Sequence, residues 1–163
     1  MAKQKEEKTN VMRILEQKGI PYTPHVYEHE EGVAVDGVTV ARSLGQDPEC
    51  VFKTLVARGA SKSIYVFCIP VAENLDLKKA ARAVGEKSME MIHVKEINAL
   101  TGYVRGGCSP VGMKKEYPTV FHETAEIVDT IMVSAGKIGY QVELSPSDLI
   151  ELVGGQLADV TVA

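Results

Sequence analysis

The chain has 163 residues, 45% of them hydrophobic, and a formal net charge of −4. That length suits one ordinary domain over residues 1–163, and a chain of this size buries about two-thirds of its unfolded surface. The acidic balance argues against a free-standing RNA or DNA binder, which needs a basic surface, but leaves room for contact with one RNA end through a local basic patch. No apolar run reaches about 18 residues, so no membrane-spanning helix is expected. The charged stretch from Met1 to Asn10 lacks the apolar centre of a secretory signal. Cys50, Cys68 and Cys108 are odd in number and form no Cys-x-x-Cys pair. A disulfide framework or zinc ribbon is therefore not expected, and a reducing cytoplasm is the default setting.

In chain order, Thr9 is placed to cap a helix reaching Lys18, with Val11, Ile14 and Leu15 as its apolar stripe and Gly19 past its end. A strand is expected over 22–27. Asp36 caps a short helix closed by Gly45, and Asp47-Pro48 opens a helical turn. Val51 to Ala57 and Ile64 to Ile69 form a predicted hairpin around the polar turn Gly59 to Ser63. Asp76 caps a helix that ends at Gly85. A strand over 88–92 and a short helix over 95–100 follow. After a glycine-rich loop, strands are predicted over 119–121, 127–133 and 140–144. Ser145-Pro146-Ser147-Asp148 starts a last helix that stops at Gly154-Gly155. The pattern is α/β: one compact domain with a mixed, largely antiparallel, curved sheet flanked by helices.

Lys53 stands in mid-strand. Alternation sets Val51, Lys53, Leu55 and Ala57 on one face and Phe52, Thr54 and Val56 on the other, both mostly apolar. A lysine there either serves a partner or ligand, or lays its stem on apolar surface and reaches water at a sheet rim. Gly106-Gly107-Cys108-Ser109-Pro110-Val111-Gly112 is a loop able to bring backbone N–H groups close to a ligand oxygen, or an ordinary tight loop. It lacks the spacing of a Walker loop. Ser134-Ala135-Gly136-Lys137 offers a hydroxyl, amides and a cation between two strands, or a plain hairpin turn. Cys108 has no histidine placed beside it by the sequence, and His25 with His29 lack a third ligand. No metal and no cofactor is expected. Lys78, Lys79 and Arg82, and Lys114 with Lys115, are basic clusters of the kind that usually form solvated faces.

Four segments, in order and spread over nearly the whole chain, carry a resemblance. They are Val51-Phe52-Lys53-Thr54-Leu55, Asn74-Leu75-Asp76-Leu77-Lys78-Lys79-Ala80-Ala81, the Gly106 to Gly112 loop, and Ser134-Ala135-Gly136-Lys137 with Glu143-Leu144-Ser145-Pro146-x-Asp148-Leu149 after it. Together they resemble the YbaK/EbsC family of aminoacyl-tRNA deacylases. The resemblance implies a fold related to the editing domain of bacterial prolyl-tRNA synthetase. It also implies removal of cysteine wrongly attached to proline tRNA, an error expected because small isosteric amino acids are poorly discriminated by binding alone. A complex with prolyl-tRNA synthetase and the tRNA 3′ end is implied as well.

Carried over by residue, Lys53 would be the essential lysine. Gly106 and Gly107 would hold the aminoacyl carbonyl with their backbone. Thr54, Ser134 and Tyr27 would line the pocket, and Ser109, Pro110, Gly136 and Lys137 would complete the substrate contacts. The family picture has the substrate's own thiol attack its ester. Three departures stand out: Ala135 where glycine is frequent, Ile138 where arginine often follows the lysine, and Asp36 where some relatives carry an aromatic. The last bears on pocket shape and so on substrate choice. An editor of Ala-tRNA(Pro) or another small aminoacyl-tRNA, a non-catalytic module binding a synthetase complex, and an enzyme using Cys108 as nucleophile are the competing readings. Lys53 and the intact Gly106-Gly107 loop favour the first kind of function, a deacylase.

Overall fold

A computed structural model describes residues 8–162. Most of the stretch read above as a charged N-terminus, residues 1–7, lies outside the described residues. Helix α1 (Asn10–Gln17) starts where Thr9 Oγ1 accepts the Met12 N–H at 3.3 Å and buries Val11, Met12 and Leu15. Strand β1 (Tyr22–Val26) follows, then α2 (Gly37–Ser43), whose first amides, on Val38 and Thr39, are bound by the Asp36 carboxylate. Strands β2 (Phe52–Gly59) and β3 (Ile64–Pro70) form the expected hairpin, with Lys53 opposite Ile69. Helix α3 (Leu77–Val84) runs from the Asp76 cap to a left-handed Gly85. Then come β4 (Met89–Met91), α4 (Ile97–Thr101), β5 (Thr119–His122), β6 (Ile131–Ser134) and β7 (Tyr140–Leu144). Helix α5 (Pro146–Val153), capped by Ser145, and β8 (Gln156–Ala158) close the described chain.

The expected mixed and largely antiparallel pairing is present, divided between two sheets. The larger has the order β4-β2-β3-β5-β8, antiparallel around β2 and parallel from β3 through β5 to β8. The smaller, β1-β7-β6, is wholly antiparallel. A single parallel bridge, Val51 to Met132, joins them, with the Met132 N–H donating to the Cys50 carbonyl at 2.9 Å.

Two sequence expectations change. The strand predicted over 127–133 begins only at Ile131; a 3-10 turn occupies Glu123–Glu126, and Ile127 is 81% exposed with no strand beside it. Its β-branched run mimics a strand, but the edge it would pair with is absent. The short β8 carries no alternating apolar pattern and was not expected.

The main core lies behind both sheets, between them and α1 and α5, around Leu15, Phe52, Phe121, Val133, Val142 and Leu149. A second core sits under α3 with Phe67, Ile69, Ala80 and Val160. Full burial of a side chain such as Phe67 contributes about 1.5–3 kcal/mol. A small third cluster, Ala41, Val51, Val71 and Met132, lies under α2 at the junction of the sheets. That junction positions the site. Among the described residues no helix is long and apolar enough to cross a membrane.

Candidate active site

The pleat decides which side chains meet. Phe52 packs into the main core, whereas Leu55 packs into the core under α3. Lys53 shares the Leu55 side of β2. The Val51 to Met132 bridge is parallel, so two residues further on Lys53 runs alongside Ser134. Val51 and Met132 share the cluster under α2, so alternation sends Lys53 and Ser134 to that same side. Cross-strand pairing then extends the row: Ser134 opposes Gln141, and Gln141 opposes His25. Tyr27 lies two residues beyond His25. One face thus carries Lys53, Ser134, Gln141 and Tyr27 across both sheets.

Each of these groups has a distinct physical state. Lys53 is half-buried, and no carboxylate lies within 4.0 Å of its ammonium among the described residues. Burial lowers its pKa below the ordinary 10.5; the charges of Asp36 and Glu73 oppose that shift. Asp36 is the α2 cap, so the helix start and the lysine are electrostatically linked. Ser134 Oγ accepts the Gly136 N–H at 3.2 Å. Gln141 is 7% exposed, and its side-chain carbonyl oxygen is buried without a hydrogen-bond partner. Leaving such an acceptor unmatched costs about 1–3 kcal/mol. Tyr27 is 5% exposed; burial raises its phenol pKa, and its N–H donates to the Gly139 carbonyl at 2.9 Å.

The lysine state carries a prediction. In competitive amine labelling, Lys53 should reach half-reaction below pH 10.5. Asp36→Asn keeps an acceptor at the cap but removes the charge that favours the ammonium, so it should move the midpoint lower still. A midpoint at or above the ordinary value would contradict a desolvated lysine.

The glycine loop meets the turn between β6 and β7. A Cβ on Gly107 would stand 3.0 Å from the Ile138 nitrogen, and one on Gly106 would stand 2.7 Å from the Ala34 Cβ. Two motifs far apart in the chain, together with the segment before α2, are therefore in backbone contact beside the row. Their amides are not equivalent. The Gly107 N–H donates to the Val104 carbonyl at 3.0 Å, whereas the Gly106 N–H makes no hydrogen bond among the described residues. Gly106, not Gly107, has the donor to spare.

Other residues singled out by the sequence lie elsewhere. Thr54 is on the opposite face, its hydroxyl 3.8 Å from the Cys68 sulfur. Ser109 is fully buried, and its Oγ accepts the Val111 N–H at 3.2 Å. Pro110 lines a separate groove of about 890 Å³ with Ile14, Tyr117, Asp148 and Leu152. Gly136 packs toward Val11 and Tyr103, and Lys137 is exposed with its ammonium 6.0 Å from the Tyr140 ring centre. Burial pushes the Cys108 thiol up to about 11, opposite to what a nucleophilic thiolate needs. His25 is held by Glu143 at 2.8 Å.

Residues 32–152 match the aminoacyl-tRNA editing domain family. The chain belongs to that family. A curated protein of Enterococcus faecalis (strain ATCC 700802 / V583), named "Putative Cys-tRNA(Pro)/Cys-tRNA(Cys) deacylase EbsC", is 46% identical over 162 residues, 99% of this chain and 98% of that protein. Two solved structures share the fold. A "putative trans-editing enzyme for prolyl tRNA synthetase" superposes with a TM-score of 0.79 at 24% identity, covering 97% of this chain and 100% of its own. Hypothetical protein APE2540 superposes with a TM-score of 0.82 at 22% identity, covering 93% and 99%. In this editing domain the residue of the candidate row that the sequence did not single out is Gln141. Its only signal is position: alternation turns it away from Val142 and Leu144, toward the side that carries Ser134.

Proposed function

We propose that this editing domain removes cysteine from Cys-tRNA(Pro), acting in the cytoplasm alongside prolyl-tRNA synthetase. The observation that carries the reading is the row of Lys53, Ser134 and the unpartnered Gln141 oxygen next to the spare Gly106 amide. The 46% identical relative, named as a Cys-tRNA(Pro)/Cys-tRNA(Cys) deacylase, supports the choice of substrate. The half-buried ammonium of Lys53 suits the terminal phosphate or the ester oxygen. The Gly106 N–H suits the carbonyl oxygen as charge develops on it. The Gln141 carbonyl suits a donor on the aminoacyl group, its ammonium or its thiol.

Nothing in this arrangement is an activated nucleophile, which favours attack by the substrate's own sulfur. The sulfur bonds to the carbonyl carbon as the bond to the ribose oxygen breaks. The thiol proton passes to that oxygen, and cysteine leaves as a cyclic thioester that water then opens. The domain supplies positioning and charge stabilisation.

The test is deacylation of proline tRNA charged in turn with cysteine, alanine, proline and S-methylcysteine. Cysteine should be lost fastest, and S-methylation should slow loss by about 10²-fold or more at unchanged binding. Equal rates for cysteine and S-methylcysteine would sink the thiol route. Preference for alanine would make this an Ala-tRNA(Pro) editor, and no cleavage even with the synthetase present would leave a binding module.

A further inference from the structure

We propose that the groove between the start of α1 and the turn joining β6 to β7 is the track that guides the acceptor strand of the RNA into the site. This rests on the deacylase reading above. The groove measures about 510 Å³ and is lined by Lys8, Arg13 and Lys137 around Tyr103, with no carboxylate among the described residues that line it. The described charged residues lining it are all cationic, in a chain of net charge −4. All three cations are exposed. Lys8 pairs with Glu16 at 2.9 Å, but both partners are about half exposed, so the pair is weak and readily exchanged for phosphate.

Two comparisons select this groove. The basic surface along α3, with Lys78, Arg82 and Lys87, also contains Glu86 and lies toward the Gly59 end of β2. That end is about 20 Å along the strand from Lys53. The groove of about 890 Å³ mixes Lys18 and Lys115 with Glu116, Asp148 and Glu151, so it has no net attraction for a polyanion. The α1 groove instead shares a wall with the site. Gly136 and Lys137 line it from one side, and the backbone of Lys137 packs against Gly107 on the other. The half-buried ring of Tyr103 offers a stacking surface to an unpaired base of the 3′ end. Phosphates running past Lys8 and Arg13 and then Lys137 would deliver the terminal nucleotide over the turn to Lys53.

The test uses the full chain with Lys8→Gln and Arg13→Glu combined, and fluorescence anisotropy of labelled, uncharged proline tRNA at several salt concentrations. Affinity should fall about tenfold, and the slope of log K against log salt should shrink by about 1–1.5, as expected for two lost single-strand phosphate contacts. Cleavage of a cysteinyl ester of adenosine alone, too short to reach the groove, should not change. A paired Lys78→Glu and Arg82→Glu variant should bind as the wild type does. Unchanged affinity and slope in the α1 variant, or an equal loss on the adenosine ester, would overturn the track. So would transfer of the whole effect to the α3 variant. A thermal melt matching the wild type excludes misfolding of exposed positions. If the wild type cleaves nothing but its tRNA binding still depends on Lys8 and Arg13, the deacylase reading falls and the track stands.

Discussion

Replacing Lys53 by Met is expected to lower deacylation by about 10²–10³-fold, the range for removing one donor from a transition-state site. The melting temperature should be unchanged or higher. The two effects have opposite signs because the lysine is held at a cost. Its ammonium is half-buried, burial depresses its pKa, and no carboxylate lies close enough to pair with it among the described residues. Met keeps the stem and removes the desolvated charge. Loss of activity with gain of stability is the signature of a group selected for chemistry and not for folding. The alternative, a stem packed on apolar surface with its head in water, gives the reverse: rates close to wild type in the Met variant. Parallel melts and single-turnover rates on the same preparations decide between them.

Gly106→Ala is expected to lower both activity and stability. Gly106 has φ +87°, a conformation that costs a residue with a side chain about 1–3 kcal/mol. Its new Cβ would also stand 2.7 Å from the Ala34 Cβ and 3.1 Å from the Ala34 Cα, so backbone on one side must shift. Either shift moves the spare Gly106 amide relative to Lys53. A displacement of about 1 Å at such a donor costs on the order of 10²-fold in rate. The melting temperature should drop by about 2–4 °C for each kcal/mol lost. Gly85→Ala is the control. It shares a positive φ of +74°, has nothing within 4 Å of its new Cβ, and lies away from the site. It should lower the melting temperature without lowering the rate. Equal activity loss in both variants would mean that the Gly106 effect is only global destabilisation.

What the sequence made legible was local. Caps at Thr9, Asp36, Asp76 and Ser145 have side chains that bind amides within three residues, so four helix starts were readable without tertiary knowledge. Lys53 was legible because it is a charge in the middle of a strand that is apolar on both faces. Gln141 was not, since an amide is unremarkable in sequence and becomes informative only when burial and the absence of a partner are seen together. Ser109 and Pro110 travelled with the glycine motif in the reading, yet one is sealed inside the loop and the other turns to a different groove. The failed strand at Ile127 and the unforeseen β8 share a cause. Strand formation is decided by the neighbour an edge finds, which is a long-range property. The division into two sheets is invisible for the same reason.

That division has a further meaning. Lys53 belongs to one sheet and Ser134 and Gln141 to the other, and among the described residues one parallel bridge, at Val51 and Met132, joins the two sheets. Behind the bridge, the main core fills the angle between them with Phe52 and Val66 from one sheet and Val133 and Val142 from the other. The same packing fixes how Lys53 sits relative to Ser134 and Gln141. Close-packed interiors do not absorb a lost or added methylene without moving their walls. A substitution among these buried side chains is therefore expected to change the spacing of the row and the thermal stability together. Two sequences identical at Lys53, Ser134 and Gln141 but different at Phe52, Val66, Val133 or Val142 would thus be expected to hold that row at different spacings.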